Sequence, residues 1–230
     1  MMQDCLYCRA ILFDMDGTLV DSNEAINRAW RKWAYSRSIA IPIDTLLRIQ
    51  HGRTNIDAVK ELGCFDDAFA EATLLTDLEE KEIAGLAPIR GAQKTVAAVQ
   101  EGRWAIVTSA DRRLAELRLK SAGLPIPDVF ITAEGIRKGK PDPECYMTAA
   151  ERLKVHPQDC VVFEDSTVGV VAARSANMSV VGVLTNGTQL GTAFQIQDFE
   201  DLTIWRRGQL FELEFVNSNP SRKAISTRGV

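Results

Sequence analysis

Hydrophobic residues in this chain gather into short runs that each stop at a polar residue. Ala10 to Phe13 ends at Asp14, Trp104 to Val107 at Thr108, Val129 to Ile131 at Thr132, Val161 to Phe163 at Glu164-Asp165, and Val180 to Val183 near Thr185. Such runs, bounded by polar residues, are the pattern of strands buried on both faces. Between them lie helical patterns: Ala92 to Gln100, Arg112 to Ala122 before Gly123, Pro143 to Leu153, and Thr167 to Asn177. Strands alternating with helices predict an α/β fold with a doubly wound parallel sheet. Ligands in such folds bind beyond the carboxyl ends of the strands, so Asp14, Thr108 and Asp165 are expected to converge.

The stretch from about Ser22 to Ala84 breaks this alternation, because it holds helical patterns with no strand between them. It is expected to form an inserted all-helical domain, residues 21–85, in a core made of residues 1–20 and 86–230. Ser22 is placed to cap a helix on which Ile26, Trp30, Trp33 and Arg37 share one face, the arrangement of a core stripe. Thr54 to Leu62 reads as a further helix ended by Gly63. Glu79, Glu80 and Glu82 read as a solvated helix face. Leu202 to Trp205, Arg207-Gly208 and Leu210 to Phe215 predict a terminal hairpin, and the polar tail beyond Asn217 is expected to fray.

Composition narrows the class. A chain of 230 residues with 46% hydrophobic and 25% charged content is ordinary for a globular protein, which excludes disorder as the whole story. A net charge of −4, with no dense Lys and Arg stretch, argues against nucleic-acid or anionic-membrane partners. No run approaches the roughly 20 apolar residues of a membrane span. Asp4 sits where a secretory signal would carry positive charge. Five cysteines, an odd number without regular spacing, suit a reducing compartment, so the cytoplasm is the expected location. Cys5 and Cys8 form a C-x-x-C pair, but no second pair follows and only His51 and His156 exist to complete a site. The pair is expected simply to lead into the first buried strand.

The chemistry concentrates in Asp14-Met15-Asp16-Gly17-Thr18. Two carboxylates two positions apart, after a buried strand and before a glycine, are costly to place together unless something offsets their charge. The spacing suits a nucleophile at Asp14 and, at Asp16, an acid that protonates a leaving oxygen and later takes a proton from water. Gly17 permits an unusual turn, and Thr18 can bond within it.

With Leu19, this run resembles the D-x-D-G-T-[LV] hallmark of the haloacid dehalogenase superfamily. The resemblance spans most of the chain, through the run ending at Thr108, the stretch Lys140-Pro141-Asp142-Pro143, and Glu164-Asp165, all in the family's order. It implies a Rossmann-like core. It further implies Asp14 as nucleophile, Asp16 as general acid/base, Thr108 as hydrogen-bond donor to the phosphoryl oxygens and Lys140 as their cationic partner. Magnesium would be held by Asp14, the backbone carbonyl of Asp16 and Asp165, with Glu164 acting through water. Blander readings stand beside these: Thr108 could cap the following helix, Lys140 could be a solvated base beside Arg137 and Lys138, and Ser109 could assist or merely fill space.

Charge counting favours the cation on separate grounds. A phosphate dianion beside ionised Asp14 and Asp165 leaves a negative excess that Lys140 alone does not offset, and each unit pair at about 4 Å is worth about 4 kcal/mol in a protein-like dielectric. Asp16 also favours phosphate-ester chemistry, since the family's dehalogenases do not need that acid.

The helical insert resembles the family's small mobile cap, which closes over the site and excludes water. His51-Gly52-Arg53 is its best candidate for touching substrate, and the layout is similar to sugar and polyol phosphatases. Arg90-Gly91 stands where the family's hinge usually has Pro-Gly, and Arg90 could point into the site. The expected partner is a small phosphorylated metabolite, and the expected state a monomer or weak homo-oligomer. Rival readings are a mutase of the beta-phosphoglucomutase type and a catalytically silent binding protein on the same fold.

Overall fold

The computed structural model describes residues 5–185, 187 and 189–215; the expected fraying beyond Asn217 lies outside them. The chain opens with strands β1 (Cys5–Cys8), β2 (Ala10–Phe13) and the two-residue β3 (Val20–Asp21). Four helices follow without a strand: α1 (Asn23–Ser36), α2 (Ile43–Gln50), α3 (Asn55–Leu62) and α4 (Ala68–Glu80). Then come β4 (Ala87–Pro88), α5 (Ala92–Val99), β5 (Trp104–Val107), α6 (Arg112–Ser121), β6 (Val129–Ile131), α7 (Glu144–Leu153), β7 (Cys160–Glu164), α8 (Thr167–Ser175) and β8 (Ser179–Val183). The chain closes with β9 (Phe194–Ile196), β10 (Leu202–Arg207) and β11 (Leu210–Phe215).

Six strands form one parallel sheet in the order β6-β5-β2-β7-β8-β9. Alternation along β2 explains why every residue in it is apolar. Ile11 and Phe13 join one buried cluster with Val96 and Leu119, while Ala10 and Leu12 join another with Tyr146 and Ala172, so neither face meets water. Phe13 stacks on Phe163 of β7 with centroids 5.2 Å apart, and Phe199 packs against both rings. Helices α5 and α6 cover one face and α7 and α8 the other, the doubly wound arrangement expected.

The helical insert has a core of its own. Trp30 and Trp33 are fully buried with Leu46, Val59 and Leu75, their rings edge-on at 5.3 Å. Arg37 leaves that stripe and donates from Nε to Glu71 Oε2 at 2.9 Å. Both ends of the insert pass through β3 and β4, which pair antiparallel as Val20↔Pro88 and Asp21↔Ala87. A further bridge joins Asp16 to Val20. Among the described residues no helix is long and apolar enough to cross a membrane.

The terminal hairpin forms as expected, β10 against β11. Cys5 and Cys8 lead into the first buried strand, β2, as expected, and they do so as the ends of a strand of their own, β1, which pairs antiparallel with β11 from Cys5↔Glu214 to Cys8↔Phe211. Three positions apart in a strand, their side chains leave opposite faces, so they cannot grip one ion together. Cys8 is buried, and that burial, with Cys160 nearby, pushes its thiol up to about 12. Burial likewise raises Cys160 to about 12 and Cys145 to about 11. In the native protein at pH 8, iodoacetamide should therefore label exposed Cys64, more slowly half-buried Cys5, and spare Cys8, Cys145 and Cys160. Mass spectrometry showing early labelling of the last group would contradict this packing.

Candidate active site

Asp14 leaves the end of β2 with its N–H donated to Phe163 O at 2.9 Å, which fixes it beside Glu164 and Asp165 at the end of β7. On its other side β5 delivers Thr108. The three ends converge because β2 lies between β5 and β7. After Asp16 the chain turns sharply at Gly17, whose φ is 77°. A Cβ there would come within 2.0 Å of Asp165 Oδ2, so only glycine lets the loop lie against that carboxylate. Thr18 bonds within the turn through its backbone, its N–H donating to Met15 O at 3.3 Å, while its hydroxyl is buried without a partner among the described residues.

Lys140 is no solvated base. Its ammonium is buried, donating to Asp14 Oδ1 and Glu164 Oε1 at 2.6 Å each and to Val107 O at 3.4 Å. Its neighbours Arg137 and Lys138 are exposed and turned toward Glu144 and Asp142. Glu164 also accepts from Tyr146 OH at 2.7 Å and from the Ser166 N–H and hydroxyl at 3.0 and 2.9 Å. Burial raises the Glu164 carboxyl, but Lys140 and these donors outweigh it and hold the group below the ordinary range. Burial also opposes charge on Lys140, and Asp14 and Glu164 reverse that, raising its pKa. Asp14 goes the other way: burial pushes it well above the usual carboxylate range despite Lys140, with Glu164 and Asp165 adding to the rise.

That imbalance tests whether a cation fits. Oxygens of Asp14, Glu164 and Asp165, all buried, lie within 4.8 Å of one another. Lys140 is shared between two of them, so a negative excess remains at Asp14 and Asp165. An all-oxygen set of this kind suits a hard divalent ion such as magnesium.

Other candidates take varied places. Thr108 is buried, and its Oγ1 accepts from the Ala110 N–H at 3.1 Å, starting the turn into α6. The Ser109 hydroxyl donates to Gly52 O at 2.8 Å, tying the core to the α2–α3 loop. His51 Nε2 lies 3.4 Å from the backbone oxygen of Asp165 and 3.6 Å from its Oδ2. Gly52, at φ 76°, sits so close to the core that a Cβ would meet Ser166 Oγ at 2.3 Å. Arg53 lines the cavity but pairs with Glu61 Oε2 at 2.8 Å. Arg90 points away from the site, largely exposed and 3.4 Å from Asp198.

Two residues were missed. Arg118, 3% exposed, donates from Nη1 to Asp16 Oδ2 at 2.7 Å and from Nη2 to Glu79 Oε2 at 2.8 Å. Glu79 is therefore buried, not part of a solvated face. Burial raises its carboxyl against the pull of Arg118, while burial of Arg118 is outweighed by Asp16 and Glu79. Ser22 also departs from expectation: its hydroxyl makes no cap bond and donates to Asp16 Oδ1 at 2.5 Å. A signal existed in each helix. Arg118 falls on the apolar stripe of Leu114, Ala115 and Leu119, and Glu79 on that of Ala72 and Leu75. Asp16, Glu79 and Arg118 border a cavity of about 580 Å³ between insert and sheet, which Asp14 and Thr108 also line.

Known proteins resemble this chain over most of its length. A model of the haloacid dehalogenase-like hydrolases matches residues 8–177. Hexitol phosphatase A of Escherichia coli strain K12 is 40% identical over 181 residues, covering 76% of this chain and 83% of its own. Validoxylamine A 7'-phosphate phosphatase of Streptomyces hygroscopicus subsp. limoneus is 35% identical over 187 residues, covering 77% and 86%. Among solved structures, beta-phosphoglucomutase from Clostridium difficile superposes with a TM-score of 0.74 at 22% identity, covering 85% of this chain and 93% of that one, a likeness of fold.

Removing Glu164 leaves Lys140, Tyr146 and Ser166 without their buried acceptor. Glu164→Ala should lower unfolding free energy by roughly 3–5 kcal/mol in a urea titration. A loss under about 1 kcal/mol would mean that the buried ammonium does not depend on this carboxylate.

Proposed function

This chain belongs to the haloacid dehalogenase-like hydrolases, and we propose that it hydrolyses phosphate monoesters of small sugars or polyols with Asp14 as nucleophile. The observation that carries this reading is the buried line Asp14–Lys140–Glu164 opening on a cavity that also holds Asp16. Relatives named for hexitol phosphate and for glycerol 1-phosphate support the substrate class.

In this mechanism the phosphoryl group sits against Asp14, with Lys140, Thr108, Ser109 and the backbone around Gly17 and Thr18 receiving its oxygens. The Asp14 carboxylate attacks phosphorus while Asp16 delivers a proton to the departing oxygen. An aspartyl phosphate forms on Asp14. Asp16 then takes a proton from a water that attacks the same phosphorus, and free phosphate and Asp14 are released. Asp14, Asp165 and the backbone carbonyl of Asp16 would hold magnesium, with Glu164 acting through water, and the ion when bound would offset the phosphoryl charge. Positioning and charge supply most of the catalysis, so no histidine base is needed.

Residues 21–85 serve as a cap over a core of 1–20 and 86–230. His51 and Gly52 reach the Asp165–Ser166 end of the site from the cap, while Arg53 lines the cavity wall, so substrate choice belongs to this loop. The protein would act as a monomer or weak homo-oligomer and, on the odd cysteine count, in the cytoplasm.

A phosphate-release screen over hexose, pentose and polyol phosphates should find turnover with magnesium and none in excess chelator. Isomerised sugar phosphate without free phosphate would instead identify a mutase. Asp14→Asn should abolish turnover while the protein remains folded, since the amide is nearly isosteric yet not nucleophilic; retained turnover would rule out attack by Asp14. Gly52→Ala should lower kcat/KM by about tenfold or more, because its new Cβ props the cap off Ser166. Unchanged kinetics would show that the seated cap is not the reactive form.

A further inference from the structure

We propose that Arg118 is a positioning residue for Asp16, and that Glu79 of the helical insert completes it, so the acid/base carboxylate is aligned only while the insert is seated. The inference rests on the phosphatase reading above. Three elements meet at one guanidinium. Arg118 projects from α6 of the core, Asp16 from the loop after β2, and Glu79 from the last turn of α4 in the insert. A buried cation is tolerated only where carboxylates satisfy its fork, and here one branch is used by each.

Asp16 is held from both sides, since Ser22 donates to Oδ1 and Arg118 to Oδ2. Its side chain still shows 17% of its surface, toward the cavity where a leaving oxygen would lie. Glu79 in turn is braced within the insert by a hydrogen bond from Asn55, whose amide also donates to Thr76 Oγ1 at 3.3 Å. The line from Asn55 through Glu79 and Arg118 to Asp16 thus crosses from insert to core at a side chain that does no chemistry itself. Of the other contacts between the two layers, Ser109 to Gly52 and Arg113 to Glu80 reach no carboxylate of the site, and His51 reaches Asp165 rather than Asp16. If Arg118 and Glu79 served only to hold the layers together, their loss would slow every substrate alike.

Leaving-group dependence separates the two roles. The value of kcat/KM covers events up to departure of the leaving group, where Asp16 gives its proton. A sugar alkoxide needs that proton; p-nitrophenolate barely does. Arg118→Met should lower kcat/KM about 100-fold for the sugar phosphate that wild-type protein hydrolyses fastest, but less than about tenfold for p-nitrophenyl phosphate. Glu79→Gln should show the same split at smaller size, and Arg118→Lys, which cannot fork, should restore little. In an Asp16→Asn background Arg118→Met should add less than about threefold on the sugar phosphate. If Arg118→Met does not fold, the double variant Glu79→Gln/Arg118→Met, which removes both buried charges, provides the same comparison. Equal losses on both substrates, or additive losses with Asp16→Asn, would overturn the inference. Failure of the wild-type protein to hydrolyse any ester would instead overturn the phosphatase reading beneath it.

Discussion

The ammonium of Lys140 is the charge around which this site is built. Strands β2 and β7 are neighbours in a sheet with no water on either face, and each ends in carboxylates. Asp14, Glu164 and Asp165 are thereby forced together at the rim, where Coulomb repulsion and desolvation both oppose them. One buried cation bonded to two of them makes the arrangement tolerable. Tyr146 on α7 and Ser166 at the start of α8 complete the shell of Glu164, so helices on the far face of the sheet take part in fixing Lys140. The pairing is as much a requirement of the fold as of the chemistry, because either partner alone would be an uncompensated buried charge.

The second aspartate is served by the same logic with different parts. Asp14 shares Lys140 with Glu164; Asp16 shares Arg118 with Glu79. In the first trio every member belongs to the core. In the second, one member comes from the helical insert, so the two carboxylates differ in how firmly the sheet alone can hold them. Arginine suits the second place because its planar fork bonds two carboxylates arriving from different directions.

Much of this was legible in the sequence. Apolar runs ending in Asp14, Thr108 and Asp165 gave the parallel sheet and the edge where its ends meet, because strand burial on two faces leaves an unmistakable run of hydrophobic residues. The insert showed as helical spacing without strands. What stayed hidden were contacts between elements far apart in the chain. Glu79, Glu80 and Glu82 read as one solvated face, yet Glu80 and Glu82 are largely covered against Arg113 and against Arg28 and Lys32, and only Arg118, 39 residues away, makes the burial of Glu79 possible. Ser22 had the identity and place of a cap, yet Asp16 is the stronger acceptor for its hydroxyl. Strand β1 is too short to declare itself, and its partner β11 lies at the opposite end of the described chain. Arg90 was drawn outward by Asp198, a long-range attraction with no local trace.

The paired strands β3 and β4 act as a narrow stalk through which the chain both leaves and rejoins the core. Asp14 lies behind that stalk, anchored by the sheet. Asp16 lies on it, bridged to Val20 where the stalk begins. Any bend or twist of the stalk therefore works as a lever on one carboxylate and leaves the other at rest. On the chemistry proposed above, the two halves of the reaction would be geared differently: the nucleophile would keep its aim whatever the insert does, while the proton donor would move in step with the insert above it.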